Sequence, residues 1–405
     1  LLFGRCERDR RECASLTKIM TAVVVSRLMR RFNVPETGLI TVGDDAAGVV
    51  GTSAELVAGD TLTVKQLLFG LLLPSGNDAG HQLAEYFGGL LMKDAEEREK
   101  KYRGELEAKQ KAEDERYDAA QSCKRGDEAG GDLGSHESQR FLSGNGGGLQ
   151  DKETSAQSSG LSDVGRKDER QAQHSEAKPP DGDDTAGLET EQSCKRLDID
   201  AAVRREFPHI KKSPYVAKHS QFRNYPEVLH FLEAMNKTAE DLHLKGSFYD
   251  SPHGLANSQN KQTALDVAKL GAAAMKDERF REVVGSKSHV VKKNTNGNRK
   301  TYKWYNTHLM LGQRGINGIK TGITPAAGPC LATSISYEGV DLIVVIICTK
   351  NMDIRWSETW KLANWAIQRL KTIDKFYNGK AERVGPKHDG GSAADGDNDR
   401  AKHKR

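Results

Sequence analysis

The sequence predicts an α/β chain of the α+β type: an antiparallel sheet flanked by helices, with a helical subdomain and a long disordered insertion. Three observations lead there. Apolar residues recur at helical spacing through the first ninety or so residues. Three strand-like runs, "GIKTGIT", "GPCLATSISY" and "VDLIVVIICT", follow one another late in the chain. Between these regions lies a polar tract that cannot build a core. Helices early, a strand meander late and an amphipathic helix to finish suit a sheet with helices packed on its faces.

The elements follow in order. Residues 16–31 predict a helix whose apolar face is Ile19, Met20, Val23, Val24 and Leu28. Residues 64–73 predict a second helix, stopped by Pro74, because proline removes a donor and clashes with the preceding turn. Residues 78–87 predict a third, closed by Gly88-Gly89. Residues 226–242 and 264–275 predict two more. The three strands come next, with a turn at Glu338-Gly339 that places Cys330 opposite Ile347. Cys330 and Cys348 then point to opposite faces, which argues against a disulfide between them. Residues 357–373 predict the closing helix, with Trp356, Trp360 and Trp365 expected in the core.

From Lys93 to Asp198 the chain changes character. Val164 is the only Val or Ile in that span, and Trp and Met are missing from it. Runs such as "SGNGGGLQDKETSAQSSG" bury too little surface to offset ordering entropy. Its first part is rich in Glu, Lys and Ala and predicts a solvated helix held by i,i+4 pairs. The domain reading is therefore a folded domain split into residues 1–92 and 222–376, a charged insertion at 93–221, mostly disordered, and a polar tail at 377–405. Loop closure costs grow only logarithmically with length, so one domain tolerates such an insertion.

Composition narrows the function classes. Hydrophobic residues make up 36% and charged residues 29%, and 61 basic against 57 acidic residues leave a net charge of +4. The charges are interleaved, so no nucleic-acid stripe is expected. No apolar run reaches the 18 or so residues of a membrane span. The six cysteines form no C-x-x-C pair and the histidines form no H-E-x-x-H, so neither a metal site nor another cofactor is expected. The first residues, "LLFGRCERDRR", hold neither an initiator Met nor a secretory signal, and read as a start that lacks its original leader.

Three short motifs carry chemistry. "ASLTKIM" contains S-x-x-K, with Ser15 and Lys18 one helical turn apart, where residues share a face. Lys18 acts as a base toward Ser15 only if burial or a second cation lowers its pKa; otherwise Ser15 is an N-cap before an ordinary helix. "LLLPSGNDAG" puts Ser75 and Asn77 in a turn between two helices, as a proton relay and an amide ligand or merely as turn formers. "GIKTGIT" supplies Lys320, Thr321 and Gly322: a cation, a hydroxyl and a glycine that permits close backbone approach. Each motif alone is common. S-x-x-K and S-x-N recur at Ser258–Lys261 and Ser143–Asn145.

In the order S-x-x-K, S-x-N, K-T-G, the three resemble the signature of penicillin-binding and β-lactamase-type serine acyl enzymes. The flanks "ASLTKIMTA", "LTVKQLLFGLLLPSGNDA", "SPHGLAN", "WYNTHLMLG" and "GINGIKTGITPAAGPCLATS" narrow it to the serine-type D-alanyl-D-alanine carboxypeptidases of peptidase family S11, the low-molecular-weight penicillin-binding proteins. The resemblance implies a β-lactamase/transpeptidase-like fold, an extracytoplasmic or secreted setting, and a peptide ending in D-Ala-D-Ala, or a β-lactam, as substrate. It implies Ser15 as nucleophile, Lys18 as base and Ser75 as proton shuttle. It further implies Asn77, Lys320, Thr321, Gly322 and Ile323 as substrate-binding residues, with the backbone N–H groups of Ser15 and Ile323 as oxyanion hole. Arg355 matches a family arginine near the carboxylate end. Asp78 and His81 are expected on the helix surface or behind the site, and His253 and Asn257 as turn formers.

The resemblance leaves departures. The family usually has a strand pair before S-x-x-K, where only "LLFG" stands here, and an unpaired sheet edge is expected in consequence. The insertion is unusual, and the β-rich C-terminal domain and amphipathic anchor of many members have no counterpart. No E-x-x-L-N stretch precedes K-T-G, which favours a carboxypeptidase over a β-lactamase. The alternatives are a β-lactamase or esterase-type relative, and a catalytically silent scaffold that uses its charged insertion to bind partners.

Overall fold

In the computed structural model, which describes residues 1–128, 197–207, 221–255, 258–295 and 298–381, helix α1 (Thr17–Arg31) is the central element. It follows a single 3₁₀ turn, Ala14–Leu16. Most of α1 is buried, including Ala22, Val25 and Met29 outside the five-residue face expected from its periodicity. The reason is that it has neighbours on several sides: α3 (Val64–Leu72), α6 (Pro226–Asp241) and α7 (Ala264–Ala274). Helix α3 starts at Thr63, whose hydroxyl accepts from Gln66 N–H while the Gln66 side chain accepts from Thr63 N–H, a reciprocal capping box.

The sheet is β5 (Ile316–Gly322), β6 (Cys330–Tyr337) and β7 (Val340–Ile346), all antiparallel, in that spatial order. Leu331 pairs with Ile346, the register that places Cys330 opposite Ile347. Cys330 is buried and Cys348 exposed, both as free thiols. Side chains alternate between two layers. Leu331, Ile335 and Val344 face Ala363, Trp356 and Trp360 of the closing helix α9 (Met352–Ala381). Cys330, Ala332 and Ile319 belong to the larger core with α1 and α7.

Smaller elements complete the chain. Strands β1 (Leu39–Thr41) and β2 (Thr61–Thr63) pair around a short α2 (Asp44–Ala47). Helix α8 (Glu278–Gly285) precedes the hairpin of β3 (Ser288–Thr295) and β4 (Asn298–Tyr305). Sequence periodicity had assigned none of these. Helix α5 (Ile199–Glu206) stands between the undescribed stretches.

Three expectations need correction. Gly88-Gly89 does not close the third helix: α4 runs unbroken over Asn77–Glu128. Gly88 is a packing residue there, since a Cβ would overlap Glu227 O at the start of α6. The last helix begins at Met352, before residue 357, because Asn351 Oδ1 accepts from the N–H groups of Asp353 and Ile354 at 3.2 and 3.0 Å. Trp365 is not a core residue; it is 44% exposed and stands edge-on to Phe3 at 5.7 Å.

The contacts divide into two units, Leu1–Arg103 with Asp200–Arg405, and Gly104–Ile199. In the second, α4 carries the expected i,i+4 pairs, among them Gln110–Asp114 at 2.9 Å and Lys111–Glu115 at 3.9 Å. The rest of the predicted insertion between residues 129 and 196, and the tail beyond 381, lie outside the described residues, as do Asn257 and the Ser143–Asn145 repeat of the second motif. Among the described residues no helix is long and apolar enough to cross a membrane.

Candidate active site

Ser15 is not an N-cap. The N-cap of α1 is Leu16, with no side-chain bond, and Ser15 sits inside the preceding 3₁₀ turn. The turn is tight: Ala14 has φ 49°, a left-handed conformation that costs about 1–2 kcal/mol for a residue with a Cβ. Two glycines hold it. Gly254, at φ 78°, passes so close that a Cβ would overlap Ala14 O. A Cβ at Gly322 would lie 2.9 Å from Cys13 O and 3.0 Å from Ser15 N. The end of β5 is thereby laid directly against the Ser15 amide.

Lys18 is buried, and its Nζ has three neighbours: Ser15 Oγ at 3.0 Å, Asn77 Oδ1 at 2.7 Å and His253 O at 2.9 Å. The last two are pure acceptors. Burial first, and Lys320 second, push the Lys18 pKa well below the ordinary lysine range, against an opposing pull from Asp78. A neutral amine has two hydrogens and one lone pair. With both hydrogens given to Asn77 and His253, the lone pair faces the Ser15 hydroxyl, the arrangement a general base needs.

Ser75 and Asn77 lie where α3 gives way to α4. Ser75 is buried with φ 69°, and its Oγ has no hydrogen-bond partner among the described residues. Strained, underused polar residues cluster at functional sites. Thr52 braces the turn: its hydroxyl donates to Ser75 O at 2.6 Å, and its carbonyl accepts Asn77 N–H at 2.7 Å. Asn77 Nδ2 donates to Val50 O at 2.9 Å, which fixes Oδ1 toward Lys18. Asp78 and His81 are buried, which excludes the helix-surface expectation. The Asp78 carboxylate accepts from Ala54, Leu56 and Ala79 N–H and from the Ser53 hydroxyl, and so anchors the loop before α3 to the start of α4.

Lys320 and Thr321 end β5. Lys320 is buried, donates to Thr321 O at 3.0 Å, and has its pKa lowered to about 7 by burial and by Arg355. Thr321 Oγ1 meets Thr307 Oγ1 at 2.7 Å. Arg355 is buried behind the strand end. It donates to Gly322 O at 3.4 Å and Cys330 O at 3.3 Å, with its guanidinium 4.5 Å from the Trp356 ring. It adds positive charge from beneath and, among the described residues, closes no salt bridge. The Ile323 side chain is 52% exposed at the edge of the site.

The structure thus brings Ser15, Lys18, Ser75, Asn77, Lys320, Thr321, Gly322 and Ile323 into one neighbourhood. The second S-x-x-K, Ser258–Lys261, does not form a helical turn: Ser258 lies in an exposed turn and Lys261 in an isolated bridge to Phe248. Sequence reading missed three contributors. The His253 carbonyl is one, since a main-chain group has no side-chain signal. Thr52 and Thr307 are the others, and threonine is too common to stand out. Among the described residues, no group of three or more His, Cys, Asp or Glu side chains could hold a metal ion.

Comparison with known proteins shows the family and the fold. The family model described as D-alanyl-D-alanine carboxypeptidase matches residues 1–94 and 227–351, more than half of the chain. A D-alanyl-D-alanine carboxypeptidase from a Streptomyces species is 31% identical over 140 residues, which cover 34% of this chain and 48% of that protein. D-alanyl-D-alanine carboxypeptidase DacD of Escherichia coli is 32% identical over 151 residues, 37% of each. These matches span half or less of the curated relatives' length. The crystal structure of a Streptomyces DD-transpeptidase superposes with a TM-score of 0.54 at 22% identity, over 91% of this chain and 92% of that one. The fold is therefore the transpeptidase/β-lactamase-like one, and the chain belongs to the D-alanyl-D-alanine carboxypeptidase family of serine peptidases.

Proposed function

We propose that the chain is a serine-type D-Ala-D-Ala carboxypeptidase that removes the C-terminal D-alanine of a peptide through an acyl-serine intermediate, and that β-lactams acylate it. The observation that carries this reading is Lys18 Nζ, buried, 3.0 Å from Ser15 Oγ, with its other two contacts taken by acceptors. Ser15 Oγ forms a bond to the carbonyl carbon of the terminal peptide while its proton passes to Lys18. The developing oxyanion is met by the N–H groups of Ser15 and Ile323. Collapse breaks the C–N bond, and the leaving amine takes a proton through Ser75, whose hydroxyl is uncommitted. Water then hydrolyses the ester. Asn77 orients Lys18 and the substrate amide. Lys320 and Thr321 hold the terminal carboxylate, with Gly322 leaving room beside Ser15. The same reading assigns the peptidase domain to residues 1–92 and 222–376 and treats 93–221 as an insertion; the two stretches matched by the family model support that division.

Intact-mass measurement after incubation with benzylpenicillin tests it. The expected result is a stable adduct of one penicillin on the wild type and none on Ser15→Ala. A folded wild type with no adduct would falsify the reading.

The same geometry sets a pH dependence. The reactive form needs Lys18 neutral and Lys320 charged. The free Lys320 pKa is lowered to about 7, so carboxylate affinity is present below it and is lost as pH rises through it. The acylation rate is expected to fall about tenfold per unit on the alkaline side of that value. Lys320→Arg, which does not titrate in this range, should flatten that limb. An unchanged limb in the arginine variant would assign it to another group.

A further inference from the structure

Thr307 stands between the second and third motifs and is held there by its neighbours. The Asn306 amide donates to Val284 O and Ser286 O at 2.9 Å each, and its Oδ1 accepts His308 N–H at 2.9 Å. Asn306 N–H donates to Lys287 O at 2.8 Å, and Thr307 N–H donates to Leu73 O at 3.2 Å, two residues before Ser75. On the other side, buried His308 places Nε2 3.1 Å from Thr333 Oγ1. The main chain at 307 is therefore fixed from both directions, while its side chain is exposed and reaches Thr321 Oγ1 at 2.7 Å.

Two hydroxyls at that distance share one hydrogen. Whichever donates, the pair retains a single O–H to give away, and its rotation is restrained by the bond already made. One of the two hydroxyls belongs to Thr321, the residue after buried Lys320, whose amine donates to Thr321 O at 3.0 Å. A hydroxyl aimed in advance, next to a positive charge, favours an anionic acceptor over a neutral one, because charge-assisted hydrogen bonds are the stronger. Without its partner, the Thr321 hydroxyl would rotate freely and share its hydrogen with solvent.

Resting on the carboxypeptidase reading, we infer that Thr307 is a specificity-determining residue: it forms with Thr321 a hydroxyl pair that selects substrates with a free carboxylate over those with a neutral end group.

The test compares second-order acylation rates, followed by intact mass, for benzylpenicillin and its neutral methyl ester on wild type, Thr307→Val and Thr307→Ser. Valine keeps the shape and β-branching and removes only the hydroxyl. Wild type is expected to prefer the acid. Thr307→Val is expected to lose about tenfold with the acid, the size of one charge-assisted hydrogen bond, and little with the ester. Thr307→Ser should keep the wild-type preference. Thermal unfolding of each variant checks that the fold is intact; if the valine variant melts early, Thr307→Ala carries the same comparison. A merely structural role would slow both compounds alike, and that result, or an unchanged ratio, overturns this inference alone. A folded wild type acylated by neither compound overturns the carboxypeptidase reading and this inference with it.

Discussion

Replacing Lys18 by methionine is expected to slow acylation of Ser15 by about a thousandfold, in the middle of the range for loss of a general base. Methionine fills a similar volume and keeps the apolar stem packed, so the loss reports on the amine. Two effects combine. The lone pair that takes the Ser15 proton disappears, and Asn77 Oδ1 and His253 O lose the donor they share. The second effect costs stability, since a buried acceptor left without a donor costs about 1–3 kcal/mol. Removing a buried ionisable amine offsets part of that, because Lys18 is held in a site that disfavours its charge. The variant should therefore fold with a melting temperature near that of the wild type. Stopped-flow or quenched-flow measurement of penicillin uptake checks the prediction. Retention of more than about a tenth of the wild-type rate would mean that another group takes the proton.

The second large effect lies in the main chain. Gly254→Ala is expected to destabilise the protein by about 2–5 kcal/mol, combining roughly 1–2 for a left-handed residue with a Cβ and roughly 1–3 for overlap in a packed interior. Gly254 has φ 78°, and a Cβ would press on Ala14 O and come within 2.7 Å of Thr17 Oγ1. The strain falls on the residue before the nucleophile, so activity should fall beyond what the unfolded fraction explains. Urea unfolding monitored through the four tryptophans, alongside penicillin uptake by the folded fraction, separates the two. Full activity per folded molecule would show that the Ala14 turn is held from elsewhere. As a control, Gly59→Ala has a similar φ of 84° with nothing within 4 Å of the new Cβ, and should cost only the conformational part.

Much of this was legible in the sequence, for identifiable reasons. The three motifs were readable because Ser15, Lys18, Ser75 and Lys320 interrupt apolar surroundings where polar residues need a purpose. The helices over residues 17–31, 64–72 and 226–241 were readable because their apolar spacing is strong. The three-strand meander and its register followed from alternation around Glu338-Gly339. Other features needed three-dimensional knowledge. Gly88-Gly89 resembles a helix stop, yet the glycine serves close passage of α6, which local sequence does not encode. The β3–β4 hairpin was missed although Asn296-Gly297 is a turn signal and Val291, Tyr302 and Trp304 share its buried side. Lys292, Lys293, Lys300 and Lys303 diluted the alternation there. Asp78 gave no sign of its burial, because its partners are mostly backbone N–H groups of a distant loop.

The third contact of Lys18, the His253 carbonyl, has a consequence for how such a site varies. A base anchored only by side chains can lose an anchor through one codon change. Every amino acid carries a carbonyl, so no substitution at position 253 deletes this one. Its loss requires displacement of the loop itself, through a residue such as Gly254 or through Ser251, whose Oγ accepts from Gly254 N–H at 2.9 Å. The burden of maintaining the base is thus moved from the residue that makes the contact to those that shape the curve of the chain around it.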